Sequence, residues 1–196
     1  MSGSEDSVPS VDDLQFRLAG PSDARAVAEL HADSWRRHYR GAYADAFLDG
    51  DVHTDRLAAW TARLSEPDPG SETILAEDGE GLAGFVHTVF DDDQRWGALL
   101  DNLHVAYRRK RRGIGSRLLR RSAQAALDRD TGLYLWVLEQ NADARAFYEA
   151  HGGTCVERML VGSLSGAASR VNGSPAALRY AWPDPAVALT GRSRAR

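Results

Sequence analysis

The feature that most limits what this chain can fold into is the run Leu133-Tyr134-Leu135-Trp136-Val137-Leu138. It is apolar at all six positions and is bounded by Thr131-Gly132 and Glu139-Gln140. Successive side chains of a strand point to opposite faces, so a strand built from this run has to be covered on both. Upstream, residues 114–127 carry Ile114, Leu118, Ala125 and Leu127 among the apolar positions of an amphipathic helix, and residues 97–105 read as another strand. Strand, helix and strand in that order predict a crossover between parallel neighbours. A mixed sheet with helices packed on it follows, which is the α/β class.

The other elements fit around this unit. Residues 14–18 alternate as a short strand, and Pro21-Ser22-Asp23 opens a helix that Gly41 ends. A second helix fits residues 54–64 and is broken by Pro67-Asp68-Pro69-Gly70. Strands are predicted at 73–77 and 82–90, with Asp78-Gly79-Glu80-Gly81 as the hairpin turn and Asp91-Asp92-Asp93 as an exposed acidic turn. Asn141 opens a short helix ending at Gly152-Gly153, and strands at 154–161 and 176–182 are joined by a polar loop over 163–174. Residues 1–12 and 184–196 read as flexible tails around one domain at 13–183.

Several function classes are excluded by composition. The single cysteine, Cys155, precludes an internal disulfide framework and fits a reducing compartment. No apolar run approaches the ~20 residues that span a bilayer, and the N-terminus lacks the basic and apolar regions of a secretion signal. A cytoplasmic protein with no membrane partner is expected. The histidines at 31, 38, 53, 87, 104 and 151 form no metal-type cluster, so no metal is expected. A net charge of −4 gives no general attraction to nucleic acid. Against that acidic background Arg108-Arg109-Lys110-Arg111-Arg112 stands out, and its plain alternative is a solvated basic turn.

This basic run lies between a strand and a helix whose start is Gly113-Ile114-Gly115-Ser116. Amides at a helix N-terminus have no intrahelical partner and the helix dipole adds positive potential, so an anion such as a pyrophosphate fits there. Gly113 and Gly115 let it approach the backbone. A lone Gly-x-Gly carries little weight, since Leu118 stands where a dinucleotide fingerprint needs its third glycine. Strand, basic turn, glycines and helix together carry more.

With these residues the chain resembles the GNAT N-acetyltransferase superfamily. Lys110-Arg111-Arg112-Gly113-Ile114-Gly115 occupies the frame of the family's Gln/Arg-x-x-Gly-x-Gly/Ala motif, with lysine at the first position. Asn141, Ala144, Phe147, Tyr148, Glu149 and Gly152 match its Asn-x-x-Ala-x-x-Phe-Tyr-Glu-x-x-Gly segment. The resemblance covers roughly residues 14–182. It implies a mixed sheet of about seven strands, splayed between strands 4 and 5 and flanked by about four helices. It also implies acetyl transfer from acetyl-CoA to a primary amine, either a small molecule or a peptide; a homodimer is compatible with it. Coenzyme A is then expected at Leu103, His104, Val105, Lys110, Arg111, Arg112, Gly113, Ile114, Gly115, Ser116, Asn141, Ala144, Phe147 and Tyr148. The pantetheine arm would run along the backbone of Leu103 and Val105. The alternative is a module of the same fold that binds an acyl-CoA or another small ligand without turnover.

Physical chemistry gives each candidate a role and a rival. Tyr148 lies two helical turns after Asn141, and its phenol can protonate a departing thiolate; a packed aromatic is the alternative. Asn141 can be helix cap, ligand or both. Asp101 can take a proton from an attacking amine or hold an ammonium group, or it can simply end a strand. His104 is the rival base, and regular alternation puts it on the opposite face from Asp101. A bound water is the third possibility. His31, Trp35 and Tyr39 form a helical stripe, with Tyr43 following after Gly41; the stripe is either core or, as the family resemblance implies, the lining of the acceptor site.

Overall fold

The computed structural model describes residues 14–161 and 170–190. In chain order the elements are β1 (Gln15–Leu18), α1 (Ala24–His38), α2 (Val52–Ser65), β2 (Ser71–Asp78), β3 (Gly81–Asp93), β4 (Gly97–Val105), α3 (Ile114–Leu127), β5 (Leu133–Leu138), α4 (Ala142–Ala150), β6 (Thr154–Leu160), β7 (Ala176–Trp182) and α5 (Ala186–Thr190). The seven strands form one sheet in the order β1-β2-β3-β4-β5-β7-β6. β4 and β5 pair in parallel, and the other neighbours are antiparallel.

The apolar run becomes β5 and is covered on both faces. Leu133, Leu135 and Val137 join the cluster under α3, with Ile114, Leu118, Leu119, Val86, Leu100 and Tyr180. Trp136 and Leu138 face Ala42, Tyr43 and Leu48 from the segment between α1 and α2. On that same side of the sheet Val27 and Ala28 of α1 and Trp60 and Leu64 of α2 pack on Leu75 and Phe85. Gly84 lets α3 sit down on β3. A Cβ there would come within 2.8 Å of the His104 carbonyl oxygen and 3.1 Å of Leu118 Cδ1.

Two expectations need correction, and one element is additional. Asp91-Asp92-Asp93 is not a loop: β3 continues through Asp93, with Asp91 at φ 55° and the register shifting between Val89 and Asp93. The carboxylates are used, since Asp92 accepts from the Tyr134 hydroxyl and Asp93 from Arg179 at 3.1 Å. The segment assigned to a tail from residue 184 contains α5, whose Ala188 is fully buried against the main core. A single helical turn is too short for its period to show in sequence. Finally, a π-helical turn, Phe47–Asp51, precedes α2. The expected tails at 1–12 and 191–196, and residues 163–169 of the expected loop, lie outside the described residues.

Two irregularities position the site. β4 and β5 are paired only at Ala98↔Leu133 and Leu99↔Tyr134, although the strands run on to Val105 and Leu138. A wedge therefore opens between them. On its other edge β4 carries a bulge: His87 pairs with Asn102 and Thr88 with Leu100, which leaves Asp101 as the extra residue.

Candidate active site

One wall of the wedge is the edge of β4. Beyond Leu99 this edge pairs with no strand among the described residues, so the backbone of Leu103, His104 and Val105 is open to an extended partner. The side chains of Leu103 and Val105 pack against the cluster under α3. At the wedge's mouth the chain turns through Lys110–Gly113 into α3. Arg111 and Gly113 both adopt left-handed conformations, φ 66° and 73°. No atom lies within 4 Å of a Cβ built on Gly113, and the backbone N–H groups of Arg111, Arg112, Gly113, Ile114, Gly115 and Ser116 donate to no described residue. A nest of free amides under open space is what a pyrophosphate requires.

The basic run divides its labour. Arg109 is tied to Asp78 at 2.6 Å and Glu80 at 3.0 Å, where it anchors the turn to the β2–β3 hairpin. Lys110 Nζ lies 2.8 Å from His38 Nε2 at the end of α1. Burial lowers the Lys110 pKa, and Asp143 at the start of α4 raises it in part. Arg111 is exposed and Arg112 half-buried beside the amides.

The other wall is α4. The Asn141 side chain caps it by accepting from the Ala144 amide at 3.3 Å, so capping is shown for this residue. Phe147 lies 3.5 Å from a Cβ built on Gly115, which closes α4 against the first turn of α3. His151 strengthens that closure: Nδ1–H donates to the Phe147 carbonyl and Nε2 lies 2.8 Å from the Ser116 hydroxyl. Tyr148 is buried among Phe147, Tyr180 and Trp182, and its hydroxyl has no hydrogen-bond partner among the described residues. Desolvation raises its pKa well above the ordinary phenol value, so the proton stays on at neutral pH.

The face toward α1 and α2 departs from strand alternation. Asp101 Oδ2 accepts from Arg63 of α2 at 3.1 Å and from Asn102 Nδ2 at 2.7 Å. His104 Nδ1 lies 2.8 Å from Ser34 Oγ of α1. Asp101 and His104 therefore share a face, because the extra residue at the bulge reverses the parity of the strand between them. The sequence-based expectation that they point apart is corrected. His104 stacks 4.5 Å from His31, whose Nδ1 accepts from Trp60 Nε1 at 2.9 Å. Since indole only donates, neutral His31 carries its proton on Nε2, a buried atom with no partner. Burial pushes the His104 pKa down to about 3, helped by His38, Lys110 and Arg56, which leaves it neutral at ordinary pH.

Over this face lies the aromatic stripe. Trp35 and Tyr39 are 4.8 Å apart, Trp35 and Tyr43 5.1 Å, and Tyr39 and Tyr43 5.4 Å. The segment that carries Tyr43 reaches across to the β5 side, where Gln140 Nε2 donates to the Arg40 carbonyl at 2.8 Å. The stripe thus bridges the wedge. Burial raises the Tyr39 pKa. Tyr148 belongs to the cluster under α3, and Asp101 pairs with α2, so the two lie on different sides of the sheet.

Sequence reasoning missed Arg56, Arg63 and Phe47. Arg56 stacks 4.6 Å over Trp35, and Phe47 lies 6.2 Å from the same ring. Arg56 and Arg63 lie seven residues apart on α2, a helical spacing that signals a shared face. Among the described residues no group of three or more His, Cys, Asp or Glu is placed to hold a metal, and no helix is long and apolar enough to cross a membrane.

Residues 26–153 match the model of the acetyltransferase (GNAT) family. A protein of Mycobacterium tuberculosis named "Probable N-acetyltransferase" is 31% identical over 140 residues, which are 69% of this chain and 77% of that one. The fold is shared with the PaiA N-acetyltransferase of Thermoplasma acidophilum in complex with coenzyme A, with a TM-score of 0.67 at 17% identity over 86% of this chain and 99% of that one. It is also shared with YncA of Salmonella typhimurium with its cofactor acetyl-CoA, with a TM-score of 0.62 at 18% identity over 87% and 94%.

Proposed function

Since the chain belongs to the acetyltransferase (GNAT) family, whose cofactor is acetyl-CoA, we propose that it moves the acetyl group to a primary amine by direct attack. The observation that carries this reading is the nest of free amides at Arg111–Ser116 beside the unpaired edge of β4, with Tyr148 in the wall formed by α4 and Asp101 at the β4 bulge. An acid and a base on opposite sides of one gap are what amide formation from a thioester and an amine needs.

Acetyl-CoA, when bound, supplies the acetyl group as a thioester. The free amides of Arg111–Ser116, with Lys110 and Arg112 beside them, suit its pyrophosphate, and the open edge at Leu103 and Val105 suits the pantetheine arm. Phe147 and Ala144 form the apolar side of that channel. Asp101 orients the amine and takes its proton, directly or through one water. Tyr148 gives its phenolic proton to the sulfur as the carbon–sulfur bond breaks. Neutral His104 and His31 keep the floor free of competing positive charge. No nucleophile is implicated, since Cys155 lies exposed on β6, so the amine attacks without a covalent enzyme intermediate.

The test is an amine panel assayed by thiol release with acetyl-CoA and longer acyl-CoAs as donors. Amine-dependent release with acetyl-CoA is expected. Coenzyme A binding without release on any amine would make the chain a binding module instead.

A further inference from the structure

The wall of the acceptor side contains one deeply set cation that the transfer chemistry does not use. Arg56 projects from α2, its side chain only 20% exposed, with the guanidinium 4.6 Å over the Trp35 ring. Its Nε donates to Asp55 Oδ2 at 2.9 Å and its Nη2 to the same oxygen, while Nη1 bonds to no described residue. Asp55 is shared, because Arg170 Nη1 donates to its other oxygen. One carboxylate thus faces two guanidiniums and the group keeps a net positive charge. Asp101 is matched by Arg63.

Arg170 is held where it is by backbone pairing. Ala44 N–H donates to the Arg170 carbonyl at 2.9 Å and Asn172 N–H to the Ala42 carbonyl at 2.9 Å, so the segment before β7 is stitched to the aromatic roof. Its guanidinium lies 4.9 Å over Phe47. Through Trp35 the guanidinium abuts the aromatic stripe, since that ring lies 5.4 Å from His31 and 4.8 Å from Tyr39. A polycation entering here meets two guanidiniums, Arg56 and Arg63, and for its several charges the one carboxylate Asp101. An amine that also carries an anion meets Asp101 for one end and the free edge of a planar guanidinium for the other.

We propose that the acceptor is an amine bearing its own carboxylate, as in an amino acid, and that Arg56 selects it by binding that carboxylate against Trp35. This rests on the acetyl-transfer reading above. The experiment measures thiol release from acetyl-CoA with the twenty α-amino acids, each beside its α-carboxamide, and with γ-aminobutyrate and spermidine. A charge-assisted bond of this kind is worth about 10- to 100-fold in kcat/KM. The best amino acid is therefore expected to exceed its amide by that factor and to exceed spermidine. Arg56→Gln removes the charge and is expected to bring the ratio close to one by raising KM for the amino acid. Arg56→Lys, which keeps the charge without the fork, is expected to fall between. Coenzyme A calorimetry on each variant reports that it is folded. Amides or spermidine performing as well as the amino acids, or a ratio unchanged in Arg56→Gln, overturns the assignment and leaves acetyl transfer standing. Absence of release with every amine, from protein that binds coenzyme A, overturns the transfer reading and this inference with it.

Discussion

Replacing Tyr148 with phenylalanine separates a chemical hydroxyl from a structural one, because the structure predicts a loss of rate with no loss of stability. A structural tyrosine in a core anchors its hydroxyl, and losing that bond costs about 0.5–1.5 kcal/mol. Tyr148 is 7% exposed, and its hydroxyl has no partner among the described residues. Removing it forfeits no bond and therefore leaves stability close to unchanged, whereas a lost bond of about 1 kcal/mol would move the melting temperature by about 2–4 °C at this chain length. The same change deletes the proposed acid, and loss of a general acid lowers turnover about 10²- to 10⁴-fold. The assay is a thermal melt and coenzyme A calorimetry beside thiol release with any amine that is a substrate. The expected variant melts no lower than the parent, binds coenzyme A normally and turns over at least a hundredfold more slowly. A variant that melts several degrees lower at full speed would return Tyr148 to packing and refute the reasoning.

Three further outcomes follow from particular contacts. Asp101→Asn should still bind coenzyme A while turnover falls and the pH–rate limb set by the base disappears; a retained limb would move the base to His104 or a water. Gly84→Ala forces a Cβ to 2.8 Å from the His104 carbonyl and 3.1 Å from Leu118. The expected loss is about 1–3 kcal/mol by overpacking, with coenzyme A affinity falling as α3 is pushed off β3; an unchanged melting temperature would contradict that packing. Burial holds the His87 pKa down at about 3, so below its ordinary value near 6.5 the unfolded chain binds a proton that the folded one refuses. Stability should fall as pH drops from about 6.5 toward 3, by about 1 kcal/mol per pH unit for this group. Urea midpoints at several pH values read the slope, and His87→Gln should make it shallower.

The fold was legible where periodicity is strong. The limits of β4, α3, β5 and β7 agree with the sequence reading, since each carries an unbroken pattern bounded by glycine, asparagine or proline signals. What local pattern cannot register was missed. The bulge at Asp101 depends on the partner strand, so alternation along β4 alone put Asp101 and His104 on opposite faces. β3 runs through three aspartates because Tyr134 and Arg179, distant in sequence, take up two of them. Helix α5 owes its order to Ala188 in the core rather than to any pattern of its own. Within the site the phosphate nest was legible from glycines and charge. Arg56 was not, because its significance lies in stacking on Trp35, twenty-one residues away on another helix.

If coenzyme A lies in the wedge between β4 and β5, amide hydrogen exchange with and without it reads the contact directly. Protection is predicted at Leu103 to Val105 on the open edge and at Arg111 to Ser116, whose amides donate to no described residue in its absence, with β1 and β6 unchanged. Protection confined to another surface, with the Arg111–Ser116 amides exchanging as fast as before, would contradict it.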